Sequence, residues 1–211
     1  MYRMFSTLTP VVRALLYANV IVFGLQWLTG QVLLPTLFAL WPLDSVAQGG
    51  APFEPWQLIT YAFLHEGIWH IAGNMFALCV FGPDLERLLG PRRFTIYYFV
   101  CVVGAALTQL WVAQRLYPGP NPTLGASGGI FGLLLLYAMA FPRNRVMLLF
   151  LPIPLPVWLF VSIYGVIELW LGVFGSSQGI AHFAHLGGMV TGFGLILYWR
   201  WQARHNHTLQ G

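Results

Sequence analysis

The chain has 211 residues, of which 58% are hydrophobic and only 8% charged, against about 25% charged in a typical soluble domain. Side chains this apolar cannot cover a soluble surface, so lipid is the expected main solvent. The formal charge of +4 does not read as nucleic-acid binding, because all ten basic residues are arginines set in short clusters between apolar runs.

Six apolar segments follow in chain order, at about residues 11–28, 68–89, 94–113, 126–141, 155–174 and 180–201. Backbone polar groups in lipid must be satisfied within their own segment, which makes these segments helices. No alternating pattern of about ten residues favours a barrel. The expected fold is an all-α polytopic membrane protein with six transmembrane helices, a single domain over residues 1–211.

The first segment follows Arg3 and Arg13 as a signal peptide would, but no small-residue cleavage site comes after it, so a retained helix is expected. The connection 29–67 is long and carries Trp41, Phe53, Trp56, Tyr61 and Phe63 among few charges, a composition suited to the membrane interface. The fourth segment is short, which starts its first turn below the membrane surface. Pro152, Pro154 and Pro156 should keep the approach to the fifth segment non-helical. All arginines except Arg115 fall on one side of a six-helix path, and the positive-inside rule makes that side cytoplasmic, with both termini on it. Cys79 and Cys101 lie inside apolar runs with no CxxC spacing and read as small apolar residues.

Polar groups inside apolar helices are costly to bury, which makes them functional candidates. Three sets sit at outer helix ends: His65, His70 and Asn74; Gly125-Ala126-Ser127-Gly128-Gly129; and His182 with His185. Ser127 follows the chain-breaking Pro120-Asn121-Pro122, among glycines that allow close backbone approach. Taken alone, that segment fits a small-residue packing face as well as a nucleophile. It also matches the Gly-x-Ser-x-Gly elbow, but that elbow needs a strand before its serine, whereas a proline-rich loop stands here. A serine needs a base, for which histidine has the pKa. His185 lies about 4–5 Å deeper than His182 along a helix. Gly188 and Gly192 continue the face of His185, allowing close approach to the fourth segment, so His185 is the expected base. His70 and Asn74 share a helical face; both can donate hydrogen bonds, either to an oxyanion or between helices. His65 is expected to be structural. The four histidines could ligate zinc, but a His-Glu-x-x-His motif is lacking. A transporter is disfavoured because the polar groups stay near one side.

In order along the chain, His65-x4-His70-x3-Asn74, Leu85-Glu86-Arg87-Leu88-Leu89-Gly90 running on to Phe94, Gly125-Ala126-Ser127-Gly128, and Ala184-His185-Leu186-Gly187-Gly188 with Gly192 resemble the motifs of rhomboid intramembrane proteases of the bacterial, six-helix type. The resemblance implies a Ser–His dyad, with Ser127 as nucleophile and His185 as general base, and no metal or cofactor. His70, Asn74 and the backbone N–H of Ser127 would hold the oxyanion, and Gly125, Gly128, Phe131 and Gly188 would support the site. The implied substrates are single-pass membrane proteins cut in or beside their transmembrane segments. The implied location is a bacterial inner membrane, with the site opening to the outer side. The alternative is a catalytically inactive rhomboid-like protein that binds membrane clients. Two residues depart from the family pattern: Trp56-Gln57 replaces a frequent Trp-Arg, and Phe131 stands where a tyrosine stacks on the catalytic histidine.

Overall fold

The structure, a computed structural model, describes residues 8–116, 118–148, 151–175 and 179–208; Arg3 lies outside them. In chain order come α1 (Pro10–Leu28), the short α2 (Leu33–Phe38) and α3 (Gln57–Thr60), α4 (Ile68–Leu89), α5 (Pro91–Arg115), α6 (Ser127–Ala140), α7 (Val157–Phe174) and α8 (Gly179–Thr208). An antiparallel hairpin of β1 (Arg145–Leu148) and β2 (Leu151–Pro156) joins α6 to α7.

Among the described residues, α1, α5 and α7 are each long and apolar enough to cross a membrane by themselves. Large apolar side chains face outward, including Leu28 at 84% exposure, Trp69 at 87% and Val190 at 70%. A soluble monomer rarely presents so much apolar surface; the chain is an all-α polytopic membrane protein. α6 has 14 residues, about 21 Å at 1.5 Å per residue, which is short of a hydrocarbon core of about 30 Å.

Two local features differ from the sequence expectation. The third long helix starts at Pro91 rather than at residue 94. Gly90 takes a φ of 75° to end α4, and Pro91 occupies the first turn of α5, where a missing N–H costs nothing. The proline-rich approach to the fifth segment, expected only to be non-helical, is a strand, β2, paired with β1 so that Arg145 stands opposite Pro156; it takes in Leu155 and Pro156, where the fifth helix was expected to start.

α5 is the core helix, and Phe94, Tyr97, Tyr98 and Cys101 along it have no exposed surface. Cys79 is only half-buried. Small residues let α5, α6 and α8 approach one another. A Cβ on Gly132 would meet the Cys101 Sγ at 2.3 Å, and one on Gly188 would meet the Gly128 carbonyl oxygen at 2.0 Å. Gly192, expected to face the fourth segment, instead packs on Tyr97 and Cys101 of α5.

α1 is tied at both ends by polar side chains. Buried Glu86 of α4 accepts the N–H groups of Val11 and Val12 at 3.1 and 2.9 Å, two donors that a helix start otherwise leaves without partners. At the other end the buried Gln26 amide spans the main chain of His65, accepting its N–H at 3.0 Å and donating to its carbonyl at 2.9 Å.

Candidate active site

Ser127 is the first residue of α6, and the turn before it is shaped by Gly125. Gly125 has a φ of 127°, and a Cβ there would lie 2.7 Å from His70 Nε2 and 3.7 Å from Ser127 Oγ. Only glycine combines that backbone conformation with that space. The Gly125 N–H is held by the Tyr61 carbonyl at 3.0 Å, and the Tyr61 hydroxyl donates to the Val102 carbonyl at 2.8 Å. The outer connection therefore braces the approach to the serine.

Ser127 Oγ lies 2.7 Å from His185 Nε2. The contact depends on the close crossing of α6 and α8 at Gly128 and Gly188, which carries His185 within reach. Phe131, one turn along α6 from Ser127, stacks on the His185 ring with centroids 4.3 Å apart and planes 5° from parallel. The missing tyrosine hydroxyl does not prevent stacking. Gln57, the second departure, is buried in the outer connection, where it accepts from the Trp41 N–H at 3.1 Å and donates to the Pro52 carbonyl at 3.1 Å.

His70 and Asn74 lie one turn apart on α4. Asn74 is buried and its amide nitrogen has no hydrogen-bond partner; His70 Nδ1 likewise has none. Buried polar atoms are rarely left unpaired without a reason. His65 packs its ring edge-on to His70 at 5.0 Å and is fully buried, with both ring nitrogens lacking partners. Burial, with His70 alongside, pushes the His65 imidazole down to about 4, so it is neutral at neutral pH.

A residue that the sequence reading passed over completes the cluster. Glu168 of α7 is buried at 4% exposure. Its Oε2 lies 2.6 Å from His182 Nδ1 and 2.8 Å from His185 Nδ1. Among the described residues this is the one cluster of three His, Cys, Asp or Glu donors that converges, with all donor atoms within 4.8 Å of one another. The oxygen-to-nitrogen separations are those of hydrogen bonds. Tetrahedral ligands at metal distances of about 2.0–2.1 Å would stand about 3.3 Å apart. The signal available in the sequence was a single carboxylate inside an apolar segment, which is costly unless partnered. What the arrangement can do chemically is deprotonate a hydroxyl: an imidazole nitrogen within hydrogen-bond reach faces Ser127 Oγ, and its other nitrogen is held by a carboxylate.

A family model described as the Rhomboid domain matches residues 52–202. Rhomboid protein 1, mitochondrial, of Saccharomyces cerevisiae is 31% identical over 198 residues, 89% of this chain and 52% of that protein. RHOMBOID-like protein 6, mitochondrial, of Arabidopsis thaliana is 31% identical over 172 residues, 77% of this chain and 50% of that protein. Rhomboid protease GluP of Bacillus subtilis is 33% identical over 150 residues, 70% of this chain and 26% of that protein. The chain thus spans about half the length of the first two relatives and about a quarter of the third.

Proposed function

The chain belongs to the rhomboid family, and from that premise we propose that it is an intramembrane serine endopeptidase cutting single-pass membrane proteins in or beside their transmembrane segments. The observation that carries this reading is the 2.7 Å pair of Ser127 Oγ and His185 Nε2 at the start of a helix too short to reach both membrane surfaces. In the reaction, Ser127 Oγ bonds to the scissile carbonyl carbon while its proton passes to His185 Nε2. The histidine returns that proton to the leaving amine as the peptide C–N bond breaks. Water then attacks the acyl carbon, giving a proton to His185, which passes it to Ser127 Oγ as the ester C–O bond breaks, leaving the free serine and an acid product that ionises. The negative charge on the carbonyl oxygen would be met by His70, whose Nε2 faces the turn before Ser127, by the unpaired amide of Asn74 and by the Ser127 backbone N–H.

Arginine placement supports an orientation with the site facing outward. Among the described residues, Arg13, Arg87, Arg92, Arg93, Arg143, Arg145, Arg200 and Arg204 lie at helix ends or in the α6–α7 connection remote from Ser127, and Arg115 alone stands at the near end. The proposal includes cytoplasmic termini in a bacterial inner membrane.

The direct test presents purified protein in liposomes with a panel of single-pass substrates. Cleavage of at least one, together with labelling by a serine-directed fluorophosphonate, is the expected result. A protein that binds such substrates but neither cuts them nor takes the label would instead be a binding member of the family. His70→Ala and Asn74→Ala are each expected to slow cleavage by about 10²–10³, the usual loss for one oxyanion donor, while keeping fluorophosphonate labelling. Wild-type kinetics in both variants would reduce the pair to a brace between helices.

A further inference from the structure

We infer that Glu168 is a positioning residue that sets the tautomer of His185, so that the reacting unit is a Ser127–His185–Glu168 relay rather than a pair. The inference rests on the serine-protease reading above. An ionised carboxylate accepts hydrogen bonds and donates none. With Oε2 at 2.8 Å from His185 Nδ1, that nitrogen must carry the proton. A neutral imidazole has a single N–H, so Nε2 is left as a bare acceptor, aimed at Ser127 Oγ at 2.7 Å. The opposite tautomer would point an N–H at the serine and could not take its proton.

Two contacts divide the work of fixing the ring. Stacking on Phe131, with planes 5° apart, sets the plane of the imidazole. The Glu168 bond sets which nitrogen faces which way within that plane. The same oxygen also receives His182 Nδ1 at 2.6 Å, which gives a buried carboxylate in an apolar helix the partners it needs. The contribution comes from α7, whereas Ser127 and His185 belong to α6 and α8. The third member is therefore supplied by a helix that carries neither reacting atom.

A plain bracing role, with Glu168 only pinning α7 to α8, predicts different behaviour, and the variants separate the two. Full-length protein in liposomes is assayed on one single-pass reporter as wild type, Glu168→Gln, Glu168→Asp and Ser127→Ala. Glutamine keeps the shape but can offer its amide N–H to Nδ1 and so favour the wrong tautomer. We expect kcat to drop between about 10²-fold and the roughly 10⁴-fold seen when the triad carboxylate of a soluble serine protease becomes an amide. KM should stay within about twofold, because no substrate contact is lost. Glu168→Asp retains the acceptor and should recover about tenfold or more of that loss. Spectra of ¹⁵N-histidine-labelled wild-type protein should show His185 protonated at Nδ1. An Nε2–H tautomer there overturns the inference even if Glu168→Gln fails to fold. A wild-type kcat in Glu168→Gln, or equal losses in Gln and Asp with a raised KM, overturns it as well. Turnover surviving in Ser127→Ala would instead remove Ser127 as the nucleophile, and with it the serine-protease reading on which the inference rests.

Discussion

Ser127→Ala is expected to abolish cleavage of every membrane substrate that the wild-type protein cuts, leaving the protein folded and inserted. The substitution deletes the one atom that bonds to the scissile carbon. In a soluble serine protease, removing the nucleophile costs about 10⁶ in rate, equivalent to about 8 kcal/mol of barrier. The structural cost is far smaller. The side chain shrinks by a hydroxyl whose recorded partner is His185, a bond contributing about 1 kcal/mol to stability. Alanine also keeps the Gly128–Gly188 crossing untouched. The measurement is turnover of a reporter in liposomes beside a thermal melt of the same preparation. Persistent turnover with an unchanged melt would mean that another residue is the nucleophile.

His185→Ala should be comparably severe, because it removes the acceptor of the Ser127 proton, and losing the histidine of such a unit costs about as much as losing the whole unit. His182→Ala, by contrast, should retain turnover within about tenfold of wild type, the scale of one lost hydrogen bond of about 1.5 kcal/mol. The asymmetry follows from what each ring touches. His185 bridges Ser127 and Glu168 through its two nitrogens; the recorded bond of His182 goes to Glu168 alone. Removing His182 frees Glu168 to serve His185 undivided. Fluorophosphonate labelling should track turnover, lost with His185 and kept with His182. The reverse order in both assays would mean that α8 is rotated relative to the serine.

How much of this was legible in the sequence depended on whether a residue announces its partner. Glycine at the spacing of Gly188 from His185 signals close approach by absence of a side chain, and depth along the helix points to the histidine that stands beside Ser127. Phe131 could be placed one turn from the serine by helical spacing alone. Glu168 could not be connected: it lies 14 and 17 positions from its two histidines, in another helix, and periodicity gives no azimuth between helices. The same holds for Glu86, whose partners at Val11 and Val12 are 75 and 74 positions away. Gly192 had the right spacing for the α6 face but met α5, since a stripe of small residues does not say which neighbour fills it. The pairing of β1 with β2 was hidden because prolines forbid helix without specifying what replaces it.

The two polar ties on α1 have a consequence for chain length. Much of that helix faces outward, and the apolar contacts it does make, through buried Val12 and Leu15, lack the fixed direction of a hydrogen bond. Glu86 grips its first turn and Gln26 reaches from its last turns to His65. An added residue between these grips would turn one relative to the other by about 100° and lift it by about 1.5 Å. The interval between Val12 and Gln26 is therefore a fixed gauge: its outward side chains can drift, but the number of residues cannot.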